Sequence, residues 1–436
     1  MFTLYSTLFE ITERQGQVTG AVLESKEEAL SSAAPLSKSN IDDQGKTTGD
    51  ITCGEEEELL WTWTFENCNQ NLRPDLFFTE QTLDSLLAVD LWQSLCPFLS
   101  VLNIGNFEYN KREHHVRTEL NVPLNYSLLG DLLSSRGYFK LSKEDTSFPS
   151  CLSELLAMGV KRIVAHGYSA TSILMYDETW LFGDFTKSIL EKSSESIKKS
   201  IGDWYVFYVN PSSSDVMAKY LPGPPHRDRP LAGSSSFRLS SDDSKPPVPK
   251  YVSVWIALTS ASCENSCLYL LPRQNDSGYH AEEGGDAMSS VSSEGSNKGE
   301  GGGGGFAWLQ NIVAQPMSQG GMLSFSHRCL HWGSNPQPNA ERPRIALTMA
   351  FSEESFEKPY FDHELYGSLP PLGLRLGLLA GQQIQYEHIA PMDKAGASLY
   401  RRIFQSQKMF FSETYSEKIT SAAQFLIFKI SQQKKK

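Results

Sequence analysis

The stretch GGMLSFSHRCLHWGSNPQPNAERPRIALTMAF, residues 320–351, decides how this chain folds. It opens with glycines that favour a turn, a short strand-forming run then leads to His331, and a second run begins at Arg344. Upstream, PPHRDRP places His226 and Asp228 two positions apart, so both side chains leave the same face of an extended backbone. A jelly-roll barrel brings such distant strands side by side, and His331 then completes a group with the upstream pair.

These side chains are of the types that bind a catalytic transition metal. Two imidazoles and one carboxylate on a single face leave positions open on the ion for O₂ and a chelating co-substrate, which is the arrangement of non-haem iron(II) oxygenases. Arg344 adds a planar fork of donors that suits the far carboxylate of a dicarboxylate. The pattern therefore predicts a metal site formed by His226, Asp228 and His331, with Arg344 as an anion-binding residue.

Neighbouring residues offer alternatives for two of these positions. His327 lies four residues before His331 and competes with it as the distal metal ligand. Arg342 competes with Arg344, although only Arg344 keeps step with the strand that follows. On the residues alone, both alternatives stay open.

The region 203–352 resembles the phytanoyl-CoA dioxygenase (phytanoyl-CoA hydroxylase) family of Fe(II)- and 2-oxoglutarate-dependent oxygenases. The resemblance rests on a His-x-Asp pair, a tryptophan-bearing strand, an Asn-x-Cys-Leu turn, a distal histidine followed by small residues, and a strand that begins with arginine. These motifs are His226 with Asp228, Trp255 in YVSVWIAL, Asn265–Leu268, His331 with Gly333 and Ser334, and Arg344. Two positions depart from the family's usual pattern, at Leu271–Gln274 and at Gly320–Gly321.

The resemblance implies an α+β fold with a double-stranded β-helix core, of the jelly-roll or cupin-like type, and flanking helices. It implies that His226, Asp228 and His331 hold Fe(II), that Arg344 binds 2-oxoglutarate, and that O₂ is the oxidant. It also favours His331 over His327, because small residues follow His331. Further residues expected at the co-substrate are Trp255, Ser334 and Tyr208.

The expected reaction is hydroxylation of a small-molecule or lipid-like substrate, with release of succinate and CO₂. Asp228 favours hydroxylation, because related halogenases lack a carboxylate at that position so that halide can bind the iron. Two other classes of protein remain as alternatives. One is a catalytically inactive jelly-roll that binds a ligand or acts as a scaffold, and the other is a cupin-like metalloenzyme that does not use 2-oxoglutarate.

Composition and periodicity divide the chain into regions around one catalytic domain. They are an N-terminal, partly low-complexity segment at 1–59, a mainly helical flanking region at 60–202, the jelly-roll core at 203–396 and a C-terminal helical region at 397–436. Gly- and Ser-rich composition predicts mobile insertions at about 231–250 and 274–305. We expect the first insertion to act as a lid, the second to be expendable, and the substrate pocket to come mainly from 60–200 and 231–250.

The overall composition limits the partners of the protein. The net charge of −12, from 51 acidic and 39 basic residues, offers no positive field to a phosphate backbone, so nucleic acid is not an expected partner. The seven cysteines form no disulfide framework, and Cys263 and Cys267 lack a second pair for a zinc knuckle. With no apolar leader or membrane span evident, we expect a cytoplasmic protein that acts on a small molecule, in an oligomeric state that the sequence leaves open.

Overall fold

The computed structural model of the chain combines α-helices with antiparallel β-sheets. It describes residues 83–102, 124–146, 148, 150–194, 199–211, 225–229, 237–238, 247–280 and 307–433, so the predicted N-terminal segment 1–59 lies outside the described residues. The strands are β1 (Tyr138–Leu141), β2 (Lys199–Val209), β3 (Phe237–Arg238), β4 (Val248–Pro249), β5 (Tyr251–Ala257), β6 (Leu268–Leu270), β7 (Val313–Gln315), β8 (Met322–Ser326), β9 (His331–Gly333) and β10 (Arg344–Ser352). The α-helices are α1 (Leu83–Leu86), α2 (Val89–Leu95), α3 (Tyr126–Arg136), α4 (Lys143–Thr146), α5 (Ser150–Ala165), α6 (Asp177–Ser193), α7 (His363–Tyr366), α8 (Leu372–Gln385), α9 (Lys394–Ser406) and α10 (Glu413–Gln433). Within these ranges, no helix is both long enough and apolar enough to cross a membrane.

Five strands form the larger sheet, in the order β1–β8–β5–β10–β2, and every neighbouring pair is antiparallel. The central strands β5 and β10 have the sequences YVSVWIA and RIALTMAFS, and nearly all of their residues are buried. A strand that is covered on both faces needs apolar residues at successive positions and not only at alternate ones. The continuous apolar character of these two runs therefore reflects their central place between other layers.

The register between β10 and β2 decides which side chains face the functional site. Arg344 lies opposite Val209, and Ile345 lies opposite Tyr208. Opposite residues of an antiparallel pair share one face of the sheet. Ile345 and Tyr208 pack into the larger hydrophobic cluster, which contains the helices, whereas Ala346 belongs to a smaller cluster on the other face. Arg344 shares that second face with Ala346.

Three strands form the second sheet, in the order β7–β6–β9. The smaller hydrophobic cluster joins the two sheets, because it contains Trp255 from the larger sheet and Leu268 and Trp332 from the smaller one. The two sheets therefore pack against each other through their inner faces. The functional site described below lies between them.

One strand lies in a region that the sequence predicted to be mainly helical (60–202). β1 forms the edge of the larger sheet and pairs with β8. Its alternation covers only four residues, with Phe139 and Leu141 buried, and so short a run carries too little periodicity to separate strand from helix. The strand that was expected to begin at 203 also starts earlier, at Lys199.

Conversely, the helix α8 lies within the predicted jelly-roll core (203–396). Gly377 and Gly381 lower its intrinsic helix propensity. However, a Cβ atom at Gly377 would lie 2.6 Å from the Phe411 side chain, and one at Gly381 would lie 2.4 Å from the Tyr415 hydroxyl. The two glycines thus allow the C-terminal segment to pack directly on α8.

Both predicted insertions contain residues with defined structure. Arg273–Asn275 and Ser277–His280 form short 3₁₀ helices, and Asp276 between them is 6% exposed. In the region 231–250, β3 pairs with β4. The first residues of the second predicted insertion thus form 3₁₀ turns around Asp276, whose buried partner Arg227 composition could not reveal. The other residues of both insertions lie outside the described ranges.

Candidate metal centre

Backbone pairing brings His226 to His331. The N–H of each residue donates to the carbonyl of the other, both at 3.0 Å, so the two residues form an antiparallel pair. Side chains of directly opposed residues leave the same face. Asp228, two residues further on, leaves that face too, and its N–H donates to the His327 carbonyl at 3.2 Å. Local pairing therefore gathers three potential ligands, which we call the ligand trio: His226, Asp228 and His331.

The ligand trio lies within reach of a single metal ion. The Nε2 atom of His331 is 3.4 Å from Asp228 Oδ1, and the Nε2 atom of His226 is 3.7 Å from the same oxygen. One ligand atom from each residue lies within 4.8 Å of the others. Two ligand atoms that bind one ion at right angles, each about 2.0–2.2 Å away, are roughly 3 Å apart. The trio therefore fits one ion after a small inward movement.

Neighbouring groups hold His331 and Asp228 in the protonation states that a metal requires. Burial lowers the pKa of His331 to about 4. Its Nδ1 lies 3.0 Å from the Cys329 carbonyl, an obligate acceptor, so Nδ1 carries the proton and Nε2 keeps its lone pair for a metal. Burial acts to raise the pKa of Asp228, but His331, His226 and a hydrogen bond from the Ser253 hydroxyl together hold that pKa below its usual value. At pH 7 the trio thus contains an ionised carboxylate and a neutral His331.

The residue between the two upstream ligands anchors their loop from behind. Arg227 donates to both carboxylate oxygens of Asp276, at 2.7 and 2.9 Å, and also to the carbonyl of Arg328. The Arg227 and Asp276 side chains are 7% and 0% exposed. Because a two-point pairing of this kind fixes orientation as well as distance, it holds the turn that carries His226 and Asp228.

The residue after Asp228 anchors the other side of the loop. Arg229 pairs with Asp203 at 2.8 Å and with Glu357 at 2.9 Å. Asp203 is buried and also accepts a hydrogen bond from the Tyr386 hydroxyl at 2.9 Å, which connects the loop to the end of α8. Both arginines of PPHRDRP therefore have their charge neutralised by carboxylates of the protein.

Arg344, unlike the two arginines of the loop, pairs with no carboxylate of a described residue. It is 1% exposed, and its Nε and Nη2 atoms donate to no described residue. The guanidinium carbon lies 5.7 Å from the centre of the Phe207 ring and 5.8 Å from that of Trp255. Burial lowers the pKa of Arg344 to about 10, which leaves it charged at pH 7. A buried guanidinium is costly unless an anion completes it, so this arrangement fits a carboxylate ligand.

One cavity of about 460 Å³ contains both the ligand trio and Arg344. Between the sheets its walls include Trp255, Phe325 and Trp332. Another part of the wall comes from the end of α8 and the residues after it: Gln385, Tyr386, His388 and Ile389. None of the described residues of 60–200 or 231–250 lines this cavity, so those regions do not build its described part, contrary to the expectation from the sequence.

Two residues that the sequence assigned to the co-substrate do not line the cavity. Tyr208 packs into the larger hydrophobic cluster, on the opposite face of the sheet from Arg344. Ser334 is buried, and its N–H donates to the Cys267 carbonyl at 3.3 Å. The neighbouring residues Phe207 and Gly333 line the cavity instead. In both places the residue that lines the cavity is adjacent in sequence to the predicted one, because alternation alone does not show which face of a strand points into the cavity.

The two competing residues lie outside the site. His327 is fully buried, and its Nδ1 atom lies 3.1 Å from a backbone carbonyl, that of Tyr251. Its side chain is not part of the group that could hold a metal. Arg342 is exposed and does not line the cavity, whereas Arg344 does. Of these competing pairs, the structure places His331 and Arg344, and not His327 and Arg342, at the cavity.

Three residues that support the site were not found by reasoning from the sequence. Ser253 lies two positions before Trp255 on β5, so a polar residue at that phase of a buried strand was a usable signal. Asp203 opens the run DWYVFYV, and an acidic residue in such an apolar run was a weaker one. Asp276 lies in a Gly- and Ser-rich sequence and carried no signal at all.

A scan of the sequence against protein-family models found no match, and a search of curated proteins found none either. Solved structures similar to the chain include the epimerase SnoN in complex with Fe³⁺, alpha ketoglutarate and nogalamycin RO, at 17% identity and a TM-score of 0.35, covering 53% of this chain and 85% of that one. The non-heme alpha ketoglutarate dependent carbocyclase SnoK is 12% identical, with a TM-score of 0.35 and coverage of 53% and 85%. HygX from Streptomyces hygroscopicus with iron bound is 10% identical, with a TM-score of 0.33 and coverage of 52% and 86%. Similarities this low do not show what this chain binds.

Proposed function

We propose that this protein is an Fe(II)- and 2-oxoglutarate-dependent dioxygenase, of the phytanoyl-CoA dioxygenase type, that hydroxylates a small molecule or a lipid-like substrate. The observation that carries the proposal is the presence, in one cavity, of the ligand trio and of the buried guanidinium of Arg344, whose Nε and Nη2 atoms have no hydrogen-bond partner among the described residues. A trio of two histidines and a carboxylate alone fits several metalloenzymes. A keto diacid such as 2-oxoglutarate needs both a metal with open positions and a cation for its second carboxylate.

The arrangement of the sheets supports a double-stranded β-helix as the core of this enzyme. Two antiparallel sheets share one hydrophobic cluster, and the ligand trio lies at the edge where His226 pairs with the smaller sheet. A closed two-sheet core of this kind holds ligands on rigid strands and leaves one end free for loops that choose the substrate.

Each residue of the site has a separate task. His226, Asp228 and His331 would hold the metal, and Arg344 would bind the far carboxylate of 2-oxoglutarate. When bound, Fe(II) and 2-oxoglutarate supply an O₂-dependent oxidation that is coupled to loss of CO₂ and formation of succinate. Trp255 closes the wall beside Arg344 and excludes water from it, which strengthens the ion pair.

The groups around the trio keep its geometry and its protons in place. The Cys329 carbonyl holds the Nδ1 proton of His331, so that Nε2 remains available to the metal. The hydroxyl of Ser253 donates to Asp228 Oδ2, which leaves Oδ1 directed at the two histidines. Because a carboxylate occupies this position, hydroxylation and not halogenation is the proposed outcome.

A succinate-release assay tests the proposed function. The purified full-length chain, supplied with Fe(II), ascorbate, 2-oxoglutarate and air, is incubated with pools of a small-molecule library. We expect iron-dependent succinate formation that at least one pool stimulates and that Asp228→Ala abolishes. Binding of 2-oxoglutarate without any succinate would show a ligand-binding protein instead. Oxidation of a substrate without consumption of 2-oxoglutarate would show a metalloenzyme of the other class.

A further inference from the structure

One part of the cavity wall is formed by Gln385, Tyr386, His388 and Ile389, and neither the metal nor the co-substrate requires these residue types. Tyr386 and Ile389 line the cavity together with the ligand trio, and so does the exposed side chain of His388. These residues follow directly on α8, which the C-terminal segment holds in place. The wall therefore begins at the last residue of α8 and continues in the turn that follows, in the same cavity as the ligand trio.

The aromatic part of this wall has a fixed orientation. The ring of Tyr386 stacks on that of Tyr205, with centroids 4.4 Å apart and an angle of 30° between the planes. Its hydroxyl donates to the buried carboxylate of Asp203 at 2.9 Å. Tyr205 in turn contacts the Phe207 ring at 5.1 Å. Because these rings are already fixed in the free protein, binding of a ligand costs little additional conformational entropy. Fixed aromatic rings also favour apolar or aromatic ligands.

The charges around the cavity leave none for a substrate. Of the three arginines that line it, Arg227 and Arg229 are paired with carboxylates of the protein, and Arg344 is assigned to 2-oxoglutarate. Among the described lining residues the carboxylates are Asp203, which is paired with Arg229, and Asp228, which is a metal ligand. An anionic head group and a cationic one would therefore both lose water without gaining a partner.

Besides the Tyr386 hydroxyl, the polar groups of this wall are the side chains of Gln385 and His388. The Gln385 amide N–H donates to Asp203 at 3.1 Å, and its Oε1 atom is buried without a hydrogen-bond partner among the described residues. The His388 ring is exposed and lies beside that of Tyr386, with centroids 6.0 Å apart. A neutral imidazole can donate or accept one hydrogen bond, and it suits a hydroxyl or amide group better than a phosphate.

We infer, building on the function proposed above, that Gln385, Tyr386, His388 and Ile389 form the substrate subsite, and that it takes an uncharged molecule with an apolar or aromatic body and a hydrogen-bonding group. The residues that determine this specificity are Tyr386, His388 and Ile389. Acyl-CoA thioesters, phosphate esters and carboxylates are therefore poor ligands of this subsite, although the resemblance to phytanoyl-CoA dioxygenases suggests a thioester.

Equilibrium binding of a matched series of compounds tests the inference. Each series has one skeleton, either phenylbutyl, farnesyl or steroid, and differs only in its head group: alcohol, primary amide, carboxylate, phosphate monoester or CoA thioester. Calorimetry on the full chain with Zn(II) and 2-oxoglutarate, where no turnover occurs, gives each Kd. In at least one series we expect the alcohol or the amide to bind ten or more times more tightly than every charged member. Tighter binding of the charged members, equal binding of all members, or no binding in any series would overturn the inference.

A designed change of charge makes the same test independent of folding defects. Ile389→Lys places a cation at the mouth and should shift the ratio of the carboxylate Kd to the alcohol Kd by at least tenfold in favour of the carboxylate. Glu387→Gln is the matched control, because Glu387 lies in the same segment, does not line the cavity and pairs with Lys429 on the surface. It should leave that ratio within twofold. If Ile389→Lys leaves it unchanged as well, the subsite lies elsewhere. If succinate release fails while neutral compounds still bind preferentially, the proposed reaction is wrong and the ligand class stands.

Discussion

Arginines have contrasting surroundings in two regions of the cavity, namely the loop that carries His226 and Asp228 and the part of the wall that contains Arg344. In the loop, Arg227 and Arg229 are paired with carboxylates of the protein at 2.7 to 2.9 Å. In the second region, Arg344 is 1% exposed and its Nε and Nη2 atoms have no described partner. The first pattern is that of a scaffold that is complete in itself. The second is that of a binding site whose partner comes from outside, so the contrast separates structural from functional charge.

Removal of the carboxylate from the trio should have the largest effect. Asp228→Ala leaves two imidazoles, one of them on an exposed side chain, and no negative charge to offset that of the ion. We expect the affinity for Fe(II) to fall by more than about 100-fold, since loss of an outer-shell partner alone costs roughly 10- to 100-fold, and succinate formation to cease. Competition with a chelator of known affinity measures the loss. The exposed residue Asp90 provides a control, and Asp90→Asn should bind Fe(II) as the unchanged chain does.

Replacement of the arginines by methionine should change stability in opposite directions. Arg227→Met leaves Asp276 buried without its partner, and we expect a loss of about 3–5 kcal/mol in the free energy of unfolding. Arg344→Met removes buried donors that lack acceptors, and we expect a gain of about 1–3 kcal/mol. Urea denaturation of the metal-free, ligand-free proteins measures both. If Arg344→Met destabilises the chain as much as Arg227→Met does, Arg344 has a structural partner and the contrast fails.

Two buried histidines should make the metal-free protein less stable in mild acid. Burial lowers the pKa of both His331 and His327 to about 4, from an ordinary value of 6.5. Between these values the unfolded chain binds protons that the folded chain does not, so stability falls as the pH falls from 6.5 to 4. Each histidine contributes a slope of roughly 1.4 kcal/mol per pH unit. Denaturation in the presence of a chelator at several pH values measures the slope.

A variant of His327 separates the contributions of His327 and His331 to this pH dependence. His327→Phe suits the aromatic surroundings of this side chain, which include Phe237 and Phe356, and it should halve the slope without changing the affinity for Fe(II) more than about threefold. A loss of metal binding comparable to that of Asp228→Ala would instead make His327 a ligand and overturn the assignment of His331.

The smallest effects are expected from the insertions, and a pair of deletions compares them. Replacement of 281–306 by a short Gly-Ser bridge should change the free energy of unfolding by no more than about 1 kcal/mol, because closure entropy varies slowly with loop length, and should leave turnover intact. A longer deletion that starts at Asp276 removes the partner of Arg227 and should prevent folding. Deletion of 239–246, within the predicted lid, should lower substrate turnover more than stability. Loss of activity in the first deletion but not in the last would exchange the roles of the two insertions.

The sequence predicted which side chains come together better than it predicted their surroundings. The structure brings His226, Asp228 and His331 together as expected, because ligand spacing on extended backbone is a local property, and it places Arg344 in the same cavity because that residue keeps step with its own strand. Tyr208 was assigned to the cavity although it faces the helices, because the inward face of β2 depends on its register with β10 and not on its own sequence.

Long-range pairings and packing explain the remaining differences. The bond from Arg227 to Asp276 joins residues that no periodicity connects, and Asp276 lies in a sequence whose composition indicates disorder. The helix α8 was not predicted from the sequence, because Gly377 and Gly381 lower its helix propensity. In the structure these glycines allow close contact with Phe411 and Tyr415. The wall that follows α8 was consequently missed too, and with it the residues that we propose to contact the substrate.

Titration of 2-oxoglutarate onto the metal-loaded protein tests the central claim most directly. Calorimetry with Zn(II) compares the unchanged chain with Arg344→Ala and with Arg342→Ala, in which the exposed neighbouring arginine is removed. Loss of one partner of a buried charge pair costs about 2–5 kcal/mol, so Arg344→Ala should weaken 2-oxoglutarate binding roughly 30-fold to a few thousand-fold, and Arg342→Ala should change it less than about twofold. Equal affinity of the unchanged chain and Arg344→Ala, or loss of binding in Arg342→Ala alone, would contradict the account.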